Sequence, residues 1–284
     1  MSHAGQVVAV LGRSCVLAVG DGDLGVLVPA EIGDGPLNIV VDGKPGAFSG
    51  VEAGLPVWLE TGRLVIGQLE VTLGGSAIWE PRPDWERLRT CCEAVQAPIS
   101  LLRTLAPRHA PEGSLLAAFF EPDIRRSSLG MSIEALSAAA LEAAEDLRKG
   151  WQGDPVPLQM GAVRLAGLGG GLTPAGDDFL CGAMLWAWLA HPSPATFCHS
   201  LLEAAAGRTT VLSAAFLRAA ARGECNAAWH RLLVALAGWG EEQPTADACE
   251  RLERSVRDVL SFGSTSGGDT LAGFLWMGCL PRRQ

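Results

Sequence analysis

The sequence predicts an α+β protein in which a β-rich N-terminal domain precedes a mostly helical C-terminal domain. Up to about residue 79, short apolar runs alternate with turns rich in Gly, Pro and Asp, a pattern typical of strands. Beyond the proline-rich segment Glu80-Pro-Arg-Pro-Asp84, the residues Ala, Leu, Glu and Arg recur with helical spacing. We therefore place the domains at residues 1–82 and 83–284.

The apolar runs of the N-terminal domain have the length of strands, about 4–8 residues. Turn signals such as Gly20-Asp-Gly-Asp23 and Asp42-Gly-Lys-Pro-Gly46 separate them, which indicates a compact antiparallel sheet or a small barrel. The predicted strands are residues 7–11, 15–19, 24–28, 37–41, 56–60, 63–66 and 77–79.

The clearest helix of the C-terminal domain spans residues 132–149, with Ser132 as its N-cap and Gly150 just past its end. A turn at residues 152–157 and a short apolar run at 160–166 then lead into a glycine-rich loop. Most helices are short and apolar, so we expect them to pack in one bundle. The other predicted helices are residues 84–96, 98–106, 114–120, 177–190, 194–206, 209–222, 225–239, 243–260 and one that begins near Ser266 or Asp269.

Composition restricts the partners. The net charge of −9 argues against nucleic acid or an anionic membrane surface as the main partner. The longest apolar stretch, residues 179–190, is far shorter than the ~20 residues of a membrane helix. The N-terminus lacks the features of a signal peptide. The eight cysteines have no Cys-x-x-Cys or zinc-ligand spacing, so we expect reduced thiols in a cytoplasmic protein.

Two related motifs contain the residues that we expect to carry function. The first is the glycine-rich stretch Gly167-Leu-Gly-Gly-Gly-Leu-Thr-Pro-Ala-Gly-Asp-Asp178, which enters an apolar helix. The second is Ser264-Thr-Ser-Gly-Gly-Asp269-Thr-Leu-Ala-Gly273. Both follow the pattern Ser/Thr-x-x-Gly-x-Asp-x-Leu-x-Gly when Thr173 is aligned with Ser264. One chain therefore carries two helix entries with an acidic residue at the tip.

A glycine-rich helix entry suits phosphate or carboxylate, because it presents backbone N–H groups and the positive end of the helix dipole. Carboxylates at the same place fit better if a divalent cation, an ammonium or an amide N–H is also bound. We predict that Asp177, Asp178 and Asp269 converge on one pocket as catalytic residues. Asp178 and Asp269 are also the candidate ligands of Mg²⁺, the one cofactor we consider. The predicted substrate- or anion-binding residues are Gly169, Gly170, Gly171, Thr173, Gly176, Arg208, Thr209, Thr210, Ser264, Thr265, Ser266 and Gly267.

Other interpretations stay open at this point. Each aspartate of the motifs can instead cap its own helix, with a capping box from Ser266 to Asp269. Arg208 can grip a carboxylate or phosphate, or it can be a surface residue beside a threonine cap at 209 or 210. The segment Arg125-Arg-Ser-Ser128 is either an anion site or a solvated turn. For Cys181 we favour a packing role, because the two nearby carboxylates oppose a thiolate.

Together these motifs resemble the AllH-like family, formerly a domain of unknown function. The resemblance rests on Gly167-Leu-Gly-x-Gly-Leu-Thr-Pro-x-Gly-Asp-Asp178-Phe-Leu-x-Gly182, Thr209-Thr-x-x-Ser213, Ala-Ala-Arg-Gly-Glu224 and Ser264-x-Ser266-Gly-x-Asp269-x-Leu-x-Gly273. The family is associated with the third subunit of the oxamate carbamoyltransferase of anaerobic allantoin degradation, a branch of purine catabolism.

The resemblance implies a component of a cytoplasmic multi-subunit enzyme that converts oxalurate and phosphate to oxamate and carbamoyl phosphate. It also implies a partner subunit that resembles an acyl-CoA synthetase. In that setting the glycine loop and Arg208 hold phosphate or a carboxylate, while Asp178 and Asp269 accept urea-like N–H groups or bind Mg²⁺. Two rival functions are a non-catalytic structural or regulatory subunit that binds a ligand, and a Mg²⁺-dependent enzyme for another small phosphorylated or carboxylated metabolite.

Overall fold

The computed structural model describes residues 2–20, 22–43, 46–120, 131–239 and 245–279, with backbone alone at residues 93, 94, 96, 97 and 131–133. The chain forms two compact units, Met1–Pro81 and Arg82–Gln284. The first unit contains a sheet and the second is helical, so the predicted fold class is confirmed. Among the described residues, no helix combines the length and apolar character needed to cross a membrane.

The first unit is a seven-stranded, nearly closed barrel-like sheet within the described residues. Its strand order is β4-β3-β2-β1-β5-β6-β7, and every neighbouring pair is antiparallel except β3 and β4, which run parallel. Alternate apolar side chains such as Val7, Leu17 and Val57 are buried in its core. The strands are β1 (Ser2–Leu11), β2 (Ser14–Val19), β3 (Asp23–Pro29), β4 (Asn38–Val41), β5 (Pro56–Glu60), β6 (Arg63–Ile66) and β7 (Leu69–Thr72).

Two strand predictions need correction. Residues 77–79 form no strand, and the Ile78 side chain there is fully exposed. The last strand is instead β7, which pairs with β6 through a two-residue connection at residues 67 and 68. Gly67 has a φ of 58° there, the left-handed conformation that a tight hairpin turn requires. The parallel pairing of β3 with β4 was not predicted either.

The second unit is an assembly of short helices around one apolar core that includes Phe179, Trp186 and Phe274. A short 3₁₀ turn, Ala106–His109, lies between two of the helices. The helices are α1 (Trp85–Thr90), α2 (Cys92–Leu105), α3 (Leu115–Phe120), α4 (Met131–Gly150), α5 (Pro155–Leu165), α6 (Ala175–Ala190), α7 (Pro194–Ala205), α8 (Val211–Ala221), α9 (Ala227–Ala237), α10 (Ala246–Leu260) and α11 (Ser266–Met277).

Several predicted helix ends were displaced by local capping. Helices α8 and α9 begin two residues later than predicted, because Thr210 and Asn226 act as N-caps outside them. The turn predicted at residues 152–157 ends earlier, because α5 begins at Pro155. Proline suits the first position of a helix, where its missing N–H would have no partner within the helix. Helix α4 already includes Met131, so Ser132 lies inside it. Gly150 is the last residue of α4. The two helices predicted at residues 84–96 and 98–106 are separated at Cys91, between α1 and α2, and not near Pro98.

Helices α6 and α11 carry the two motifs, and glycines bring them into close contact. A Cβ added to Gly182 would lie 1.8 Å from the carbonyl oxygen of Thr270, and one added to Gly273 would lie 2.0 Å from that of Phe179. Gly182 and Gly273 occupy the same motif position, and so do Phe179 and Thr270. The contact is therefore reciprocal, as across a local twofold axis.

The first glycine of each motif has an equivalent role. A Cβ on Gly176 would lie 2.1 Å from the carbonyl oxygen of Leu165, the last residue of α5. One on Gly267 would lie 2.0 Å from that of Val259, near the end of α10. Each motif thus packs the start of its helix against the end of the preceding helix. The repetition seen in the sequence is a repetition of structure.

Candidate functional site

The glycine loop, residues 167–174, connects α5 to α6. Gly167, Gly169 and Gly171 have φ angles of 73°, 113° and 85°, which residues with a side chain rarely adopt. A Cβ on Gly167 would lie 2.3 Å from the carbonyl oxygen of Arg208. The loop therefore lies directly against the connection between α7 and α8, next to Arg208.

The loop presents hydrogen-bond donors at the surface. Gly169, Gly170 and Gly171 are exposed, and no hydrogen bond within the described chain uses their N–H groups. Arg208 is also exposed, and its side chain makes no ion pair with any described residue. Free backbone N–H groups and a guanidinium each bind small anions such as phosphate or carboxylate.

Asp177 connects this loop to the start of α8. One carboxylate oxygen accepts a hydrogen bond of 2.9 Å from the backbone N–H of Gly167. The other accepts hydrogen bonds from the hydroxyls of Thr209 and of Ser213, the latter at 2.9 Å. With all of these donors in place, the buried Asp177 holds the backbone and is not available to a ligand.

Thr210 makes a second connection between the same segments. Its hydroxyl donates to the carbonyl oxygen of Leu172 at 2.5 Å and accepts from the N–H of Ser213 at 3.0 Å. Thr210 therefore caps α8, as one of the two threonines was predicted to do, and it also fixes the exposed tip of the glycine loop. Arg208 directly precedes Thr209 and Thr210, so these bonds hold its backbone next to the glycine loop.

Asp178 and Asp269 form a second cluster at the starts of α6 and α11. Both side chains are buried, and the Oδ2 atom of each has no hydrogen-bond partner among the described residues. The hydroxyls of Thr173 and Ser266 are 3.0 Å apart and connect the two helix starts. We refer to Asp178 and Asp269 below as the carboxyl pair.

The environment of the carboxyl pair favours the protonated forms. Burial, and then the charge of Asp269, raise the pKa of Asp178 well above its usual value, while hydrogen bonds from Ser266 and Thr173 oppose the shift. Burial raises the pKa of Asp269 to about 6, against hydrogen bonds from Thr265 and from the Leu115 N–H, which lies 2.6 Å from Oδ1. Carboxyl groups whose pKa values are raised by burial and by a neighbouring carboxylate occur often at functional sites.

These placements decide between the interpretations of the motif aspartates. Neither Pro174 nor Thr265, the N-cap residues of α6 and α11, makes a side-chain capping hydrogen bond. Asp177 and Asp269 accept from other segments, Gly167 and Leu115, and not from their own helices. The capping interpretation, including the capping box from Ser266 to Asp269, is therefore wrong.

Only some of the residues predicted to bind an anion have groups available for a ligand. Gly176 and Gly267 use their N–H groups to bond Leu168 and Phe262, so these groups are not available to an anion. Thr265 and Ser266 lie beside the carboxyl pair, whereas Ser264 is exposed. The segment at residues 125–128 lies outside the described residues.

The neighbouring cysteine is not set up as a nucleophile. Burial, with Asp178 and Asp177 adding to it, raises the pKa of the Cys181 thiol well above its usual value. The thiol is therefore protonated at neutral pH, in line with a packing role. All eight cysteines lie in the described part of the chain and are free thiols.

Sequence reasoning missed two contributors. Ser213 was noted in the motif but was not proposed as a site residue, although it completes the donors around Asp177. Leu115, which donates its N–H to Asp269, gave no signal at all, because the two residues are 154 positions apart in the chain. For a metal, the described residues contain no group of three or more His, Cys, Asp or Glu side chains that could hold one. Mg²⁺ at the carboxyl pair stays a prediction.

Replacing Asp269 by asparagine is expected to stabilise the protein at alkaline pH. The pKa of Asp269 is about 6 in the folded state, against a usual 3.8. Between pH 3.8 and pH 6 the native state therefore binds more protons than the unfolded state, and the free energy of unfolding falls as the pH rises through this range. The difference of about two pKa units corresponds to about 3 kcal/mol. Because asparagine keeps an acceptor for the Leu115 N–H, we expect a gain of about 2 kcal/mol at pH 8 and little change at pH 4.

Urea unfolding at both pH values measures this difference. The exposed Asp258, which pairs with Arg231, provides the control variant Asp258→Asn. Equal stability of Asp269→Asn and the parent chain at pH 8 would show that burial of this carboxylate is not destabilising.

The fold and the site define a protein whose helical unit carries an exposed glycine loop and a buried carboxyl pair on two related helices. Residues 165–278 match the family described as oxamate carbamoyltransferase subunit AllH. The matched range includes both motifs and the segment around Thr209, so the resemblance predicted from these residues is confirmed. No solved structure matches the chain.

Proposed function

We propose that this chain is the component of a carbamoyltransferase that binds a small carboxylated amide, in the reaction of oxalurate and phosphate to oxamate and carbamoyl phosphate. The observation that carries the proposal is the set of N–H groups at Gly169, Gly170 and Gly171 that no described residue accepts, in a loop that packs against the backbone of Arg208. The Arg208 side chain makes no ion pair with any described residue. Both substrates of this reaction are anions with several oxygen acceptors, which such donors recognise. The family description, a subunit of oxamate carbamoyltransferase, supports the same reaction.

In this reaction a phosphate oxygen bonds to the carbamoyl carbon while the C–N bond to the oxamate nitrogen breaks. That nitrogen takes a proton, and phosphate supplies it. The groups at the glycine loop would align the two anions and stabilise the negative charge that develops on the carbamoyl oxygen. No covalent nucleophile from the protein is required, which agrees with the protonated state of Cys181.

The proposal includes partner subunits, because the family description refers to one subunit of an enzyme. That one of these partners is similar to an acyl-CoA synthetase is part of the proposal and rests on the resemblance alone. A second candidate function is a subunit that binds the ligand while a partner performs the chemistry. The complete hydrogen bonding of Asp177 favours this candidate, since it removes one of the three carboxylates predicted to be catalytic.

Arg208→Ala tests the proposed function by ligand-dependent thermal denaturation of the full chain. A ligand that binds only the native state at 100 times its Kd stabilises it by about 2.7 kcal/mol. We expect phosphate, oxamate, oxalurate or carbamoyl phosphate to raise the midpoint of the parent chain. The rise should disappear in Arg208→Ala, since the guanidinium is the charged donor of the loop.

Arg218→Ala is the matched control, because Arg218 is an exposed arginine in the last turn of α8. Its ligand response should equal that of the parent chain. The proposal fails if none of these anions shifts the midpoint, or if both arginine variants respond as the parent does. A shift by Mg²⁺ alone would instead favour the Mg²⁺-dependent enzyme, in which Asp178 and Asp269 hold the ion among waters and substrate oxygens.

A further inference from the structure

The carboxyl pair has an unsatisfied hydrogen-bonding capacity. The Oδ2 atoms of Asp178 and Asp269 are fully buried, and no described residue donates to either. An unpaired buried carboxyl oxygen is destabilising, because it has lost its water without gaining a donor. The adjacent Asp177 shows the contrast, since both of its oxygens are bonded. Two unpaired acceptors at one place indicate a ligand that brings donors.

We propose that Asp178 and Asp269 bind the NH₂ group of the substrate's primary amide, each Oδ2 atom accepting one N–H. This inference rests on the proposed function, because it adds an amide subsite to the anion subsite at the glycine loop. It gives the chain a specificity for carbamoyl-type groups that an arginine and backbone N–H groups alone do not provide.

The number and surroundings of the acceptors favour an amide over a metal ion. A primary amide nitrogen carries two N–H groups, which equals the number of fully buried carboxyl oxygens in the pair that have no partner among the described residues. Mg²⁺ requires about six oxygen ligands in octahedral geometry, and the described residues add no third acidic or histidine ligand. Both carboxyls also lie in the first turn of a helix, where the positive end of the dipole disfavours a cation.

The amide subsite is continuous with the anion subsite. Thr173 belongs to the glycine loop, and its hydroxyl lies 3.0 Å from that of Ser266 on the second motif. A small molecule with a carboxylate at one end and an amide at the other carries the groups that the two neighbouring subsites would bind. Oxamate and oxalurate have this form.

Oxamate and pyruvate are matched probes for the amide subsite, because they have the same charge and nearly the same shape and differ in NH₂ against CH₃. We would measure the affinity of the full chain for both by titration calorimetry. The parent chain is expected to bind oxamate at least about tenfold more tightly than pyruvate, since pyruvate leaves the two buried acceptors unpaired.

Asp178→Asn and Asp269→Asn each replace an acceptor oxygen by an amide that can present its own N–H groups. Either variant should lose most of the preference for oxamate, while its affinity for pyruvate stays within about twofold of the parent. Asp258→Asn is the control and should keep the preference. Thermal denaturation of each variant without ligand checks that it is folded.

The other outcomes separate the inference from the proposed function. If the parent chain binds both probes equally, or if the aspartate variants keep the preference, the carboxyl pair does not bind the amide and the anion subsite stands alone. If Mg²⁺ alone raises the melting midpoint and Asp178→Asn abolishes that rise, the pair is a cation site. If the parent chain binds neither oxamate nor pyruvate, the inference fails, and the proposed function fails with it only if phosphate, oxalurate and carbamoyl phosphate also leave the melting midpoint unchanged.

Discussion

Replacing Asp177 by alanine is expected to lower the free energy of unfolding by about 3–5 kcal/mol, in the range found when one partner of a buried charged network is removed. The substitution leaves three buried or half-buried donors without an acceptor: the N–H of Gly167 and the hydroxyls of Thr209 and Ser213. It also removes one of the two connections between the glycine loop and the start of α8, and leaves only the bond from Thr210 to Leu172, so binding of the anionic ligand should be weakened. Urea unfolding gives the energy, and the ligand-dependent midpoint gives the binding.

Two comparisons make the Asp177 prediction specific. Asp177→Asn keeps one acceptor oxygen and should be destabilised less than the alanine variant. Asp154→Ala removes an exposed N-cap that accepts a single hydrogen bond from Val156, and should be destabilised by about 1 kcal/mol. An effect of Asp177→Ala no larger than that of Asp154→Ala would mean that Asp177 does not hold the two segments together.

Asp177 and its counterpart show how the two motifs have acquired different roles. Gly268 occupies in the second motif the position of Asp177 in the first. A Cβ there would lie 2.9 Å from the Cβ of Ser114, so the second motif packs against the start of α3 where the first motif reaches α8. The position after it is aspartate in both. Both motifs thus contribute one aspartate to the carboxyl pair, but only the first motif has a further aspartate, Asp177, that holds the glycine loop in place.

The parts of the fold that follow from local chemistry could be predicted from the sequence. Helical periodicity and glycine placement located α6 and α11 to within a few residues, and the repeated motif indicated that Asp178 and Asp269 belong together. What local patterns cannot supply is which distant group satisfies a side chain. The Leu115 N–H that reaches Asp269 is a backbone group without any sequence signature.

The strand errors have a similar cause. The residues at 77–79 are apolar enough for a strand, but whether an apolar run finds a partner depends on the sheet and not on the run. The hairpin of β6 and β7 has a local signal in Gly67 and in the alternation of Leu69 and Val71. Glu70 and Thr72 interrupt the apolar run there, so a search for continuous apolar runs does not find this strand. Alternation is the expected pattern where one face of a strand is exposed.

Replacing Gly182 by alanine is expected to destabilise the protein by about 3 kcal/mol, at the upper end of the usual range for overpacking. The added Cβ would lie 1.8 Å from the carbonyl oxygen of Thr270, and a backbone atom in a helix cannot move aside as a flexible side chain can. The two helices must therefore separate, which also separates the carboxyl pair at their starts. Gly170→Ala is the control, because nothing lies within 4 Å of a Cβ there.

The contact between α6 and α11 is reciprocal, so the glycine on the other helix should be equally sensitive to substitution. Gly273→Ala should destabilise the protein by a similar amount, since its Cβ would lie 2.0 Å from the carbonyl oxygen of Phe179. The double variant should then be less destabilised than the sum of the two, because one separation of α6 from α11 relieves both overlaps. Urea unfolding of the four chains in this cycle measures the coupling. Strict additivity would mean that the two glycines act at independent contacts, and the local twofold relation between the motifs would then have no energetic consequence.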